Sequence, residues 1–276
     1  MPQRAKYFFD KLHISTHGIN ETDFLRKVLL GENEVILEKS NYNWRFIPGE
    51  FLEHNSEKFL FGFLVRFKTM KEETVDNEAV QIVESPVKNE VKAKSPFFIN
   101  LEKEHTIIAY HPVSNITNSQ FENIFTEIMR EARKDFFIEV DLNPVIRKEE
   151  ILEAIEEFEK ITKLRIELKP TNPTYRIEDD DIVEELENMG AEVEENYRPS
   201  RDDGGLDVPE DSLAKRKLRM TTEGFGKSEI EGIREGEKDT VKTTEFREQT
   251  TAPSSSSAGP KDILQSLIQR FRRWWG

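Results

Sequence analysis

The strongest constraint on the fold is the order of strand-like and helix-like segments between residues 95 and 170. Short segments rich in aromatic and β-branched residues, which are typical of strands, occur four times in this interval. Two other segments have apolar residues at helical spacing instead. The resulting order is strand, strand, helix, strand, helix, strand. It predicts an α+β fold in which helices pack on mixed or antiparallel sheets.

Three helices are predicted in and after this interval. The first covers "NSQFENIFTEIMREARKDF", and the second covers "RKEEILEAIEEFEKI". The third, "EDDDIVEELENMG", begins with acidic residues and ends at Gly190, as dipole and capping preferences favour. The apolar face of the first helix is expected to consist of Phe121, Ile124, Phe125, Ile128 and Met129.

Changes in composition divide the chain into six successive segments. Residues 71–94 are charged and poor in large apolar groups, which indicates an exposed connection. After residue 195 the apolar periodicity weakens, and "REQTTAPSSSSAGP" has the composition of a flexible linker. The predicted segments are a strand-helix-strands unit (1–70), an exposed connection (71–94), an α+β core (95–195), a largely irregular polar region (196–249), a flexible linker (250–260) and a tethered amphipathic tail helix (261–276).

Composition excludes several classes of protein. The chain has no cysteine, so disulfides, thiolate metal sites and a cysteine nucleophile are excluded. It shows no signal peptide and no run of about eighteen apolar residues, so we expect a cytoplasmic protein, at most peripheral at the inner face of the membrane. The formal net charge of -14 does not by itself steer the protein to nucleic acid.

Two local basic clusters are the candidates for binding a nucleic-acid backbone. Phosphate binding requires several cations on one surface, which a sequence does not reveal, and the alternative interpretation of both clusters is solubility. The clusters are Lys215, Arg216, Lys217 and Arg219 in "KRKLR", and Lys88, Lys92 and Lys94 in the predicted connection.

The tail "KDILQSLIQRFRRWWG" is the candidate for partner or membrane binding. Its apolar residues form one continuous stripe on a helical wheel, and arginines and tryptophans follow. A helix of this length is marginal alone in water, so a lipid interface, a protein groove or the chain's own body must order it. Because of the preceding serine-rich stretch, we rank partner or membrane docking above self-packing. The binding residues would be Ile263, Leu264, Leu267, Ile268, Phe271, Arg272, Arg273, Trp274 and Trp275.

Catalytic and metal sites are less strongly indicated. Glu139 and Asp141 lie two apart in a predicted strand and, with His111, could serve a nuclease-like toxin, although an exposed strand edge is favoured. His13 and His17 are spaced as helical metal ligands, but they lie in a strand-and-turn pattern without a third ligand. The "GFGKS" sequence at 224–228 lacks the full phosphate-loop spacing, so we predict neither cofactor nor metal.

Strand-end signatures between about 95 and 220 suggest a relationship. "SPFFINLEKEHTIIAYHP", then a helix, then "LRIELKPTNP" resembles a family of uncharacterised bacterial proteins, matched at the turn Thr171, Asn172 and Pro173. The paired strands and the later strand ending at Lys169 and Pro170 also resemble, more faintly, RexA-type phage-exclusion proteins. That resemblance implies a cytosolic, dimeric, sequence-independent DNA binder that works with a membrane partner.

The sequence therefore leads to one main functional hypothesis with two alternatives. The main hypothesis is a non-enzymatic sensor or adaptor in phage defence, a homo-oligomer that binds nucleic acid through its basic clusters and a protein partner or membrane through its tail. The alternatives are a nuclease-like toxin and a pure protein-interaction module.

Overall fold

The computed structural model describes residues 3–16, 21–30, 35–76, 81–100, 106–132, 138–168, 193–199, 205–206, 208–209, 212–222 and 226–273. Within these residues the chain has an α+β fold, as predicted. The chain divides into two compact units, each assembled from separate stretches of sequence. Unit 1 consists of Met1–Tyr7, Thr16–Asp141 and Thr250–Gly276, and unit 2 consists of Phe8–Ser15 and Leu142–Gln249.

The helices and strands alternate irregularly along the chain. The strands are β1 (Arg4–Thr16), β2 (Leu37–Lys39), β3 (Tyr42–His54), β4 (Glu57–Asp76), β5 (Gln81–Asn100), β6 (Ile107–Tyr110), β7 (Ile138–Pro144), β8 (Lys160–Leu168), β9 (Val193–Tyr197), β10 (Gly226–Arg234), β11 (Glu237–Lys242) and β12 (Gln249–Pro253). The helices are α1 (Glu21–Leu29), α2 (Asn118–Glu131), α3 (Lys148–Glu156), α4 (Leu213–Thr222) and α5 (Pro260–Arg273), with a 3-10 helix at Thr243–Phe246. The predicted helix at 179–190 lies outside the described residues.

Helix α2 covers one face of the large sheet, whose strand order is β12-β1-β6-β5-β4-β3-β2 with β7 paired to β1. The helix starts with a capping box in which the Thr117 hydroxyl accepts from Gln120 N and the Gln120 side chain accepts from Thr117 N. Phe125 packs on Phe46 and Phe97, with ring centroids 4.9 and 5.8 Å apart. The five predicted apolar residues of α2 are all buried, so that prediction is confirmed.

Helix α5 covers the opposite face of the same sheet. Phe271 of α5 lies edge-on to Phe59 of β4, with ring centroids 5.2 Å apart. Phe59 and Gly62 are an odd number of positions apart on β4, and Gly62 is paired with Phe97 on the α2 side, so Phe59 points to the other face. Both faces of the central strands are therefore covered, which explains the unusual number of phenylalanines, nineteen in all.

Residues 250–260 are ordered by hydrogen bonds, although their composition predicted a flexible linker. They begin in β12, and Ser254 N then donates to Gln3 O at 2.7 Å. Ala258 N donates to Ser254 O at 3.0 Å, which closes a turn directly before α5. Composition alone gives the wrong prediction here, because a serine-rich segment is flexible only where its backbone groups form no hydrogen bonds within the protein.

Unit 2 contains a four-stranded sheet in the order β11-β10-β8-β9. Strands β10 and β11, the end of β9 and helix α4 lie in residues 196–249, where we predicted largely irregular structure. Strands β10 and β11 form a tight hairpin because Glu235 and Gly236 both have positive φ, 52° and 76°. The inner face of the sheet carries a core that includes Leu164, Ile166 and Met220.

Candidate nucleic-acid interface

Strands β4 and β5 extend beyond their neighbours as a two-stranded ribbon, which we define as residues 68–76 and 81–94. The β3–β4 register ends at Asn43 opposite Phe67, whereas the β4–β5 register continues to Asp76 opposite Gln81. On the other side, β6 pairs with β5 only between Phe97 and Ile99. In the part of the chain that the structure describes, no third strand joins the ribbon. The described residues of the predicted exposed connection at 71–94 therefore form a strand pair that has no further described strand beside it.

A group of lysines, here called the lysine cluster, occupies the base of the ribbon. It consists of Lys68 on β4 and Lys88 and Lys92 on β5, and all three side chains are exposed. Lys94, the remaining lysine of the predicted cluster, is exposed as well, but its pairing with Val65 places it on the opposite face of the ribbon from Lys68. Glu90 lies opposite Lys68 in the register, and its carboxylate oxygen Oε1 is 2.6 Å from Lys92 Nζ. Three lysines and one glutamate give this surface a formal charge of +2 in a chain of net charge -14.

Three lysines interact electrostatically with the same carboxylate, that of Glu90. The hydrogen bond and charge of Lys92 lower the pKa of Glu90, and the charges of Lys88 and Lys68 lower it further. Glu90 is therefore ionised at neutral pH and neutralises only part of the positive charge. The remaining cations can bind a polyanion.

Local features fix the position of the cluster on β5. The β4–β5 register shifts between Arg66 and Phe67, so Lys92 is the additional residue of a β-bulge. The Lys94 ammonium lies 5.1 Å from the centroid of the Phe63 ring, a cation–π contact that orients it. The Thr69 hydroxyl joins the strands, since it accepts from Asn43 Nδ2 at 2.9 Å and donates to Asn89 Oδ1 at 3.0 Å.

The second predicted cluster, in "KRKLR", does not form one open cationic surface. Lys217 is buried and forms an ion pair with Glu195 of β9, which also accepts a hydrogen bond from the Tyr197 hydroxyl. Burial alone would raise the pKa of Glu195, but these two hydrogen bonds outweigh it and lower the pKa. Burial and the same hydrogen bond raise the pKa of Tyr197 to about 12. Lys215, Arg216 and Arg219 remain half-buried along α4.

The tail helix is packed on the body of unit 1. Its apolar stripe, Ile263, Leu264, Leu267, Ile268 and Phe271, is buried throughout. Arg272 lies 3.4 Å from a carboxylate oxygen of Glu57, and Arg273 is exposed. This is the self-packing arrangement that we ranked second. Docking on a partner or membrane stays a prediction that would require α5 to leave the sheet, and Trp274 and Trp275 lie outside the described residues.

The proposed catalytic residues have structural partners where the structure describes them. His111 Nδ1 lies 2.8 Å from Lys6 O, and the His111 carbonyl accepts from Ser95 Oγ at 2.7 Å. Asp141 Oδ1 is 3.4 Å from Arg130 Nη2. The side chain of Glu139 lies outside the described residues.

The histidine pair does not lie on a helix. His13 is in strand β1, and His17 lies outside the described residues. Within the described residues, no three histidine or carboxylate side chains are grouped as metal ligands would be.

Sequence reasoning missed Lys68. It lies at the end of the alternating segment "EKFLFGFLVRFK", and its relation to Lys88 and Lys92 depends on recognising that 57–100 is one long hairpin. Residues 77–80, which lie outside the described residues, carry no strong hairpin signature such as Asn-Gly or Asp-Gly in their sequence.

Comparison with known proteins identifies a family. A scan of curated proteins finds no match. No helix among the described residues has the length and apolarity that crossing a bilayer requires. The sequence matches a family model described as "Domain of unknown function (DUF4747)" over residues 37–269. This stretch includes the ribbon, the four-stranded sheet and most of α5, and the chain therefore belongs to the DUF4747 family.

Proposed function

We propose that this protein is a non-enzymatic nucleic-acid-binding sensor or adaptor whose phosphate-binding surface is the lysine cluster of the ribbon. The observation that carries the proposal is the placement of three exposed lysines around a single glutamate. Cations that neutralise phosphates supply most of the affinity in sequence-independent binding. A local charge of +2 can do so although the whole chain is acidic, because screening limits charge effects to about 10 Å at 0.1 M salt.

The shape of the ribbon favours duplex DNA as the ligand. A two-stranded ribbon enters the major groove of B-form DNA, whereas the major groove of A-form RNA is too narrow. An isolated two-stranded ribbon is only marginally stable in water, so a bound duplex would also stabilise it.

The biological setting of the proposal follows from the faint resemblance to RexA-type proteins. In this setting the protein acts in the cytoplasm in phage defence, as a homo-oligomer together with a protein partner. Binding to DNA supplies the recognition step. Release of α5 from the sheet is the candidate step by which DNA binding is communicated to the partner or to a membrane surface.

The test is a titration of a fluorescent DNA duplex with full-length protein between about 50 and 200 mM salt. Wild-type protein should bind with an affinity that falls steeply with salt. The Lys88→Gln/Lys92→Gln double variant should lower the slope of log K against log salt by about 2, since each lost phosphate contact removes about 0.9. Duplex RNA should bind more weakly than duplex DNA.

The matched control is Lys27→Gln/Lys261→Gln, which makes the same change of charge at two exposed lysines outside the ribbon. It should retain the wild-type slope. An equal decrease of the salt slope in both double variants would show that the effect depends only on net charge, and it would overturn the assignment to the ribbon. Absence of salt-dependent binding by wild-type protein would favour the interaction-module alternative.

A further inference from the structure

The four-stranded sheet of unit 2 carries a second candidate binding site, which is separate from the lysine cluster and independent of the proposed function. The face of this sheet opposite its core has a cleft of about 330 Å³, within the size range of small-molecule sites. Three cations line it, Arg165, Lys227 and Lys242. The other described lining residues are Glu167, Glu229, Ser228 and Thr244.

Strand register places the charged groups on one face. Glu229 of β10 lies between Arg165 of β8 and Lys242 of β11 in the paired strands, and Lys227 lies opposite Glu167. Since alternate residues of a strand point to the same side, all five side chains project away from the core.

The ion pairs of the cleft leave a surplus of positive charge. Glu167 is shared by two cations, at 3.0 Å from Arg165 and 2.8 Å from Lys227, while Glu229 is 3.0 Å from Lys242. Three cations against two carboxylates give a net charge of +1. The Lys227 and Lys242 side chains are 58% and 48% exposed, so a ligand can reach both.

Gly226 holds the cleft in shape. A Cβ atom at this position would lie 2.0 Å from the Glu167 carbonyl oxygen, so only glycine lets the start of β10 approach β8 this closely. The approach aligns Lys227 with Glu167. The "GKS" sequence at 226–228 therefore opens a strand, whereas in a phosphate loop it would precede a helix.

We propose that this cleft binds a phosphorylated sugar. The phosphate monoester, with a charge between about -1.5 and -2 at pH 7, is held by Lys227, Lys242 and Arg165. The carboxylates of Glu167 and Glu229 accept hydrogen bonds from the sugar hydroxyls. Among the described residues that line the cleft, none has an aromatic ring on which a nucleobase could stack, which favours a sugar phosphate over a nucleotide.

The experiment is isothermal titration of full-length protein with ribose 5-phosphate, inorganic phosphate, ribose and AMP. Ribose 5-phosphate should bind with a Kd below about 1 mM. Inorganic phosphate should bind at least about tenfold more weakly because it lacks the hydroxyl contacts. Ribose alone should not bind, and AMP should bind no more tightly than ribose 5-phosphate.

Variants separate this site from a general affinity for anions. Lys227→Met and Lys242→Met should each weaken ribose 5-phosphate binding by about tenfold, the effect of one charge-assisted hydrogen bond. Glu167→Gln should weaken binding of ribose 5-phosphate without weakening binding of inorganic phosphate. The control Lys238→Met, at an exposed lysine of β11 outside the cleft lining, should bind as wild type.

Three results would overturn the proposal. They are no binding of ribose 5-phosphate at about 10 mM, equal affinity for ribose 5-phosphate and inorganic phosphate, or equal losses in Lys238→Met and the cleft variants. DNA binding by Lys227→Met should equal that of wild type, because the cleft is separate from the lysine cluster. Sugar-phosphate binding therefore tests the cleft alone, and DNA binding tests the proposed function alone.

Discussion

Replacing Phe271 with alanine tests whether α5 is an integral part of unit 1 or a detachable tail. Phe271 is fully buried and lies edge-on to Phe59 with ring centroids 5.2 Å apart. If α5 remains packed in solution, Phe271→Ala removes a buried ring and leaves a cavity against the sheet. If α5 spends most of its time away from the sheet, the ring contributes nothing to the folded state.

The expected loss follows from this environment. Truncating a buried phenylalanine to alanine costs about 3–5 kcal/mol, which includes about 0.5–1.5 kcal/mol for the aromatic pair. The free energy of docking α5 on the sheet sets an upper limit to this loss. If the helix detaches before the rest of the protein unfolds, a substitution in α5 cannot remove more than that docking free energy. We therefore expect a decrease of about 3 kcal/mol in the free energy of unfolding.

The assay is equilibrium unfolding in urea, followed by circular dichroism. The control is Gln269→Ala, an exposed position of the same helix, which should change stability by less than about 0.5 kcal/mol. A loss in Phe271→Ala no larger than that in the control would refute the reasoning. It would return α5 to the detachable tail that the sequence suggested.

Three further predictions concern the ribbon and unit 2. Glu90→Gln should strengthen binding of duplex DNA, measured by the same titration, because it removes the carboxylate that interacts with Lys68, Lys88 and Lys92; unchanged affinity would contradict the assigned surface. Gly226→Ala should lower the free energy of unfolding by about 1–3 kcal/mol, whereas Gly259→Ala, where the nearest atom to the new Cβ is 3.7 Å away, should be nearly neutral. Glu195→Gln should cost up to about 1 kcal/mol at pH 7. Because the pKa of Glu195 is lowered in the folded state, its contribution to stability is complete above the unfolded pKa and is lost as pH falls through the folded pKa. The difference in stability between Glu195→Gln and wild type should therefore disappear in acid. A stability difference that stays constant with pH would exclude the ion pair as its cause.

The parts of the fold that the sequence predicted well are those in which a single face of an element is buried. Helix α2 is the clearest example, since its apolar spacing identified every buried residue that we named. Strand β8 likewise alternates between the core residues Leu164 and Ile166 and the cleft residue Arg165, which matches its alternating sequence. One-sided burial leaves a period in the sequence that can be recognised without tertiary information.

The ribbon, the 3-10 helix and β12 were missed because other forces determine them. The ribbon sequence shows no regular apolar alternation, so it resembles a charged loop. The order of residues 254–258 depends on hydrogen bonds to Gln3, which is remote in sequence. The tail stripe was recognised, but the sheet that it covers was not, because a helical wheel shows what needs burial and not which surface supplies it.

The candidate sites were predicted in part. Lys88, Lys92 and Lys94 were identified from composition, but the hairpin register brings Lys68 next to Lys88 and Lys92 and places Lys94 on the other face. The burial of Lys217 against Glu195 depends on the packing of α4 over β9, which involves residues 22 positions apart. The cleft requires three strands in register and could not be inferred from the local pattern around "GKS" alone.

The hydrogen bonds around β1 and β12 have a consequence for the order of events during synthesis. The Arg4 guanidinium donates to Thr251 O at 3.0 Å across 247 positions of sequence, so this edge of the large sheet cannot be completed until nearly all of the intervening chain has been made. Until then, the sheet face containing Phe59 lacks its cover of α5 and is available to chaperones or to another nascent chain. Contacts so distant in sequence also slow folding. The protein should therefore refold slowly and depend on chaperones more than its modest size would suggest.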